Sequence, residues 1–131
     1  MKTSNENLGT AKYVTPRLQK PFRLALVAVA AIAAYAALAS PYLRFLSVPP
    51  MDKALHVSTS FVIALLLRWS LGLPLAAVLL LTAGIGGGVE LLQYVIPHRN
   101  PGVDDFLADV AGTVIAGVLL SFIRIRHKTL T

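Results

Sequence analysis

Cysteine is absent from this 131-residue chain. Disulfide staples, thiolate metal sites and cysteine nucleophiles are therefore excluded. Charge is scarce as well: Asp, Glu, Lys and Arg together make up 14% of the residues, against 56% apolar, and mean hydropathy is +0.69. That balance is too apolar for a water-soluble domain and reads as an integral membrane protein. Acidic residues are rarer than basic ones, 6 against 12, for a net charge of +6. Such an excess would suit nucleic acid, but its distribution points to a membrane. Lys2, Lys12, Arg17, Lys20 and Arg23 precede or open the first apolar run, while Arg124, Arg126 and Lys128 follow the last. Basic flanks on apolar spans are topology signals, and nucleic acid is set aside as a partner.

The length suits one domain. Residues 1–21 are polar, carry Pro16 and Pro21 and show no apolar periodicity, which reads as a disordered cytoplasmic tail. The run from Phe22 to Ser40 has no charge except Arg23 at its edge, and at about 1.5 Å per residue it can cross a ~30 Å hydrocarbon core. Ala37-Leu38-Ala39 resembles a signal-peptidase site, but the apolar stretch is long for a signal peptide, so a retained anchor is expected. PYLRFLSVPPM, with three prolines, makes an interfacial connection. A second span runs from Asp52 to about Arg68 and Trp69. Gly72 and Pro74 punctuate the chain before a third span, about Leu75 to Ile96, which stops before Pro97. PHRNPG forms a turn, and a fourth span covers Val103 to Ile123. The expected fold is all-α, an integral membrane four-helix bundle over residues 22–123, with a basic cytoplasmic tail over 124–131.

Placing the N-terminus inside puts Arg44, Lys53 and Arg99 outside and every other Lys and Arg inside. The positive-inside rule then sets both termini of this multi-pass chain in the cytoplasm. Five of the six acids, Asp52, Glu90, Asp104, Asp105 and Asp109, fall in the spans or at their outer ends. Glu90 and Asp109 each sit roughly 9 Å below the outer boundary, with His56 at a similar depth. Asp52, His56 and Ser60 share one face at i, i+4 and i+8; Glu90 and Gln93 share another at i, i+3; Asp105 and Asp109 a third, with Gly112 next along it. Because an ionisable group facing lipid costs at least a few kcal/mol, these faces should turn inward and pair. Gly84 and Gly88 are expected to form a small-xxx-small packing pair, with Gly86, Gly87, Gly112, Ala116 and Gly117 assisting close approach.

Simpler readings cover several of these residues. Asp52 and Asp104 can cap helix N-termini. Arg44 and Lys53 can anchor at the interface, as can Tyr94 and Trp69. The glycines lack the strand–turn–helix context of a phosphate loop. Glu90 is different. It lies toward the C-terminal end of its helix, where the dipole disfavours a carboxylate, and it needs a cation, a proton or a hydrogen-bond donor. Arg99, His56, Lys53 and Gln93 are the candidates.

Asp52-Lys53-Ala54-Leu55-His56, then Glu90-Leu91-Leu92-Gln93, then Arg99, Asp105 and Gly112 occur in an order that resembles the VanZ-like family, membrane proteins named after a teicoplanin-resistance accessory protein. The resemblance covers about Asp52 to Leu120. Asp109 stands where that family usually has Asn, which adds a carboxylate. The resemblance implies a cell-envelope role connected with glycopeptide tolerance.

Three readings follow. In the first, the chain binds or acts on a lipid-linked or cell-wall precursor at the outer leaflet. His56 would shuttle a proton, Glu90 would serve as partner or base, Arg99 would hold an anionic group by bidentate contacts, and Asp105 would complete the reacting set. Asp52, Lys53, Gln93 and Asp109 would bind or orient. In the second, the same cluster locks a non-enzymatic scaffold or partner-binding module. In the third, the chain is a small transporter subunit, which would require a homo-oligomer, since charge is confined to the outer half and no inverted repeat is evident. A His/carboxylate metal site is compatible with the residue types, but no strong metal-ligand motif is present, so no metal is expected and no cofactor is assigned.

Overall fold

A computed structural model describes residues 16–38, 48, 50–96 and 102–129. Among them the chain is entirely helical, with α1 (Pro16–Leu38), α2 (Met51–Leu71), α3 (Leu75–Gln93) and α4 (Val103–Thr129). Each holds a stretch long and apolar enough to cross a membrane: Gln19–Ala37, Met51–Leu71, Leu75–Gln93 and Val103–Ile123. The protein is an all-α, integral membrane four-helix bundle.

Helix ends depart from the apolar runs in three places. α1 begins at Pro16, inside the segment expected to be a tail. Proline is tolerated in a first helical turn, where its missing N–H would have no partner. Pro21 lies further in and removes one backbone bond, yet the helix continues through it. Polarity of Arg17 to Lys20 misled the reading; these side chains extend a helix whose apolar part follows. The rest of the expected tail, residues 1–15, lies outside the described residues. α3 closes at Gln93 and gives way to a turn, with Val95 N–H donating to Leu92 at 3.2 Å and Ile96 N–H to Gln93 at 3.1 Å. α4 runs past Ile123 to Thr129, so the basic segment continues the span as helix.

α2 touches all three other helices, most broadly α4 and then α1. At one end of the bundle the Arg23 Nε donates to the Ser70 carbonyl at 3.1 Å, and the Phe22 and Trp69 rings stand 5.5 Å apart. The start of α1 therefore lies beside the end of α2. At the other end, Gln93 Nε2 donates to the Ala37 carbonyl at 3.2 Å, joining the ends of α1 and α3. Neighbouring helices in the chain thus alternate in direction. The reversal between α2 and α3 needs Gly72, whose φ of 65° is left-handed and whose N–H closes on the Arg68 carbonyl at 3.0 Å. The Arg68 guanidinium donates to the Leu73 carbonyl, tying the end of α2 to the reversal that follows.

Ile63, Ala64, Leu65, Leu67, Val78, Ala116 and Leu120 form the core, with Leu26, Val29, Phe61 and Trp69 packed against it. Outward faces are as apolar as the inside: Val27, Ile32, Leu80, Leu91 and Phe122 are each more than 60% exposed. In water such surface would drive association; hydrocarbon covers it without cost. Where α2 crosses α4, a Cβ on Gly112 would run into the Val57 carbonyl oxygen and lie 3.0 Å from Val57 Cα. Gly86 is the corresponding close approach of α3 to α4, with Asp109 Cβ 3.0 Å from where its Cβ would be. Gly84 and Gly88 have no described atom within 4 Å of such a position. The expected small-xxx-small pair is therefore not the packing seam; it faces away, and Gly86 between them carries the contact.

Candidate functional site

Asp52, Lys53, His56 and Ser60 occupy successive turns of α2, all on the side toward α4. Asp105 and Asp109 are one turn apart on α4 and face back. Asp109 is only 4% exposed, so a carboxylate has been carried into the bundle and must find donors. Ser60 Oγ donates to Asp109 Oδ1 at 2.6 Å, and His56 Nδ1 lies 3.2 Å from the same oxygen. Nearer the end of the bundle, the Lys53 ammonium pairs with Asp104 and, at 3.3 Å, with Asp105. Lys53 thus pairs across two helices, and Asp104, read from sequence as a helix cap, is its partner. Pro50 gives the α2 N-terminus no side-chain cap, and Asp52 lies in the first turn, where a carboxylate favours the helix dipole.

Glu90 sits in the last turn of α3, at the negative end of that helix dipole. Its Oε2 accepts a hydrogen bond from the Gly102 N–H at 3.2 Å. Gly102 is the residue on whose carbonyl α4 starts, accepting from Asp105 and Phe106 N–H at 3.0 and 3.3 Å. The positive end of α4 thereby stands against a carboxylate that its own helix disfavours. The other carboxylate oxygen, Oε1, is sealed from solvent and has no hydrogen-bond partner among the described residues.

His56, Glu90 and Asp109 each present a nitrogen or oxygen within 4.8 Å of the other two, and Asp52, His56 and Asp105 do the same. Three helices contribute to one cluster with His56 common to both triads. Of the residues singled out by sequence, Asp52, Lys53, His56, Glu90, Asp105 and Asp109 converge. Gln93 is buried and directs its amide nitrogen to α1, tying that helix to the bundle. Arg99 lies outside the described residues, as does Arg44. Ser60 and the Gly102 N–H were not anticipated as site members. Ser60 was legible from its i+8 spacing to Asp52; a backbone donor from a turn leaves no mark in sequence.

Ser60→Ala would take from Asp109 its shortest hydrogen bond while leaving the carboxylate buried. A loss of about 1–3 kcal/mol is expected, seen as a lower thermal midpoint in detergent, with Ser60→Thr close to the parent.

A bundle of four membrane-crossing helices with a His/carboxylate cluster near one end defines a multi-pass membrane protein with a polar intramembrane site. The chain matches the VanZ/LLP1 family model over residues 3–124 and belongs to that family. The match extends well beyond the motif-bearing stretch from Asp52 to Leu120. No curated protein and no solved structure matches the chain.

Proposed function

We propose that this protein works in the bacterial inner membrane, with both termini cytoplasmic and the His56/Glu90/Asp109 cluster at the outer leaflet. There it binds or acts on a lipid-linked or cell-wall precursor, and so contributes to glycopeptide tolerance of the teicoplanin type. The observation that carries this reading is the convergence of His56, Glu90 and Asp109 from α2, α3 and α4 within 4.8 Å. Buried ionisable groups are costly in a membrane, and where several meet they default to function. His56 can accept and return a proton, and Glu90, with one oxygen fixed by Gly102 and the other without a partner among the described residues, can act with it. Lys53, paired with Asp104 and Asp105, offers a cation to an anionic headgroup; Arg99, which precedes α4 in the sequence, is assigned the same task. Family membership supports an envelope role, and the domain is taken to span residues 22–123.

Mass spectrometry of lipids and peptidoglycan from cells with and without the protein tests this directly. A covalent difference that disappears with Glu90→Gln is the expected result; identical envelopes would leave the cluster as a structural lock. That second reading has its own support in the Ser60–Asp109 and Lys53–Asp104 ties, which bind α2 to α4. It makes a different prediction: the effect of each substitution would follow the amount of folded protein.

Orientation is testable cleanly because the chain has no cysteine. Asn100→Cys should react with a membrane-impermeant maleimide in intact spheroplasts, and Lys128→Cys only after permeabilisation. The reverse pattern would move the cluster to the cytoplasmic leaflet.

A further inference from the structure

We propose that His56, Glu90 and Asp109 form a binding site for a divalent transition-metal ion of the Zn2+ class. Three observations point to it. The ligand atoms, one imidazole nitrogen and two carboxylate oxygens, come from three different helices and lie within 4.8 Å of one another. Glu90 Oε1 is buried without a partner among the described residues, although its twin oxygen is satisfied by Gly102. An orphaned carboxylate oxygen inside a membrane protein is a large cost unless something positive meets it. Finally, among the described residues the cluster is mainly acidic. Asp52, Glu90, Asp105 and Asp109 gather about the His56 imidazole, and of these four the Lys53 ammonium pairs with Asp105, a cation that Asp105 shares with Asp104.

The donor set selects the ion. Ca2+ and Mg2+ prefer oxygen ligands alone, whereas an imidazole with carboxylates suits Zn2+ and its first-row neighbours. Tetrahedral bonds of about 2.1 Å place ligand atoms about 3.4 Å apart, so the three side chains need draw together by no more than about 1.5 Å. Ser60, at 2.6 Å from Asp109 Oδ1, would orient that carboxylate from outside the coordination sphere. Three protein ligands leave a fourth position open, as in sites where a metal meets water or substrate. Sequence spacing cannot reveal such a site, because each ligand lies on a separate helix.

The full chain, purified in detergent and stripped with a chelator, should take up one equivalent of Zn2+ in competition with a chromophoric indicator. His56→Ala and Glu90→Gln should each weaken binding at least tenfold, and Ser121→Ala, at the far end of α4, should leave it unchanged. Millimolar Mg2+ or Ca2+ should not compete. X-ray absorption of the wild-type protein with one equivalent of Zn2+ makes the outcome independent of how the variants fold: a shell of oxygens with one imidazole nitrogen is expected. Wild-type affinity weaker than about 10 µM, or a shell lacking imidazole, would overturn the proposal. No substrate enters the measurement, so a negative result leaves the envelope reading standing.

Discussion

Gly112→Val is expected to leave little folded protein in the membrane. At this position α2 and α4 cross with backbone against backbone: even a Cβ would overlap the Val57 carbonyl oxygen and lie 2.9 Å from its carbon. No side chain can swing aside to relieve that contact, so the helices must separate. Overpacking of a core costs typically ~1–3 kcal/mol and more where backbone must move, and the broadest helix–helix interface of the bundle would absorb it. Separation also parts Ser60 and His56 from Asp109, leaving a carboxylate buried and short of donors. The combined loss should exceed ~3 kcal/mol. Fluorescence-detected size-exclusion of a tagged chain reads the outcome as a collapse of the monodisperse peak. Gly84→Ala and Gly88→Ala supply the contrast, since nothing described lies within 4 Å of either; both should give a parental peak. A normal peak for Gly112→Val would mean that α2 and α4 do not cross there.

The second large effect concerns chemistry. In cells whose teicoplanin tolerance depends on this protein, Glu90→Gln and His56→Ala should each return tolerance to the level of the deletion strain. Protein abundance should stay near that of the parent. Glutamine is the informative choice at 90 because its amide oxygen can still accept the Gly102 N–H. It removes the charge and keeps that tie, so loss of function with retained abundance separates a chemical role from a structural one. Wild-type tolerance from a well-expressed double variant would eliminate any role of the pair in chemistry or binding.

Several parts of this arrangement were legible without coordinates. Four apolar runs forced four membrane helices, because a backbone in hydrocarbon must satisfy its own hydrogen bonds. The i, i+4 spacings of Asp52 with His56 and of Asp105 with Asp109 fixed which side chains share a face. Glu90, at a helix end where a carboxylate is disfavoured, signalled the need for a partner. The errors were also physical. Polarity between Arg17 and Lys20 suggested a tail, yet charged residues continue α1, since helix formation does not stop where hydrophobicity does. The motif formed by Gly84 and Gly88 marked the right helix and the wrong face, because small residues permit close approach without specifying which neighbour comes close.

Sequence alone determined the class of protein, the number of spans and the set of polar residues that could not face lipid, all of which depend on transfer free energies that are local to each segment. Which groups meet was decided only in three dimensions. Lys53 chooses Asp104, Asp109 takes Ser60 and His56, and Glu90 finds the amide at the start of α4, because such pairings depend on helix rotation and crossing, and these follow from packing at Gly86 and Gly112.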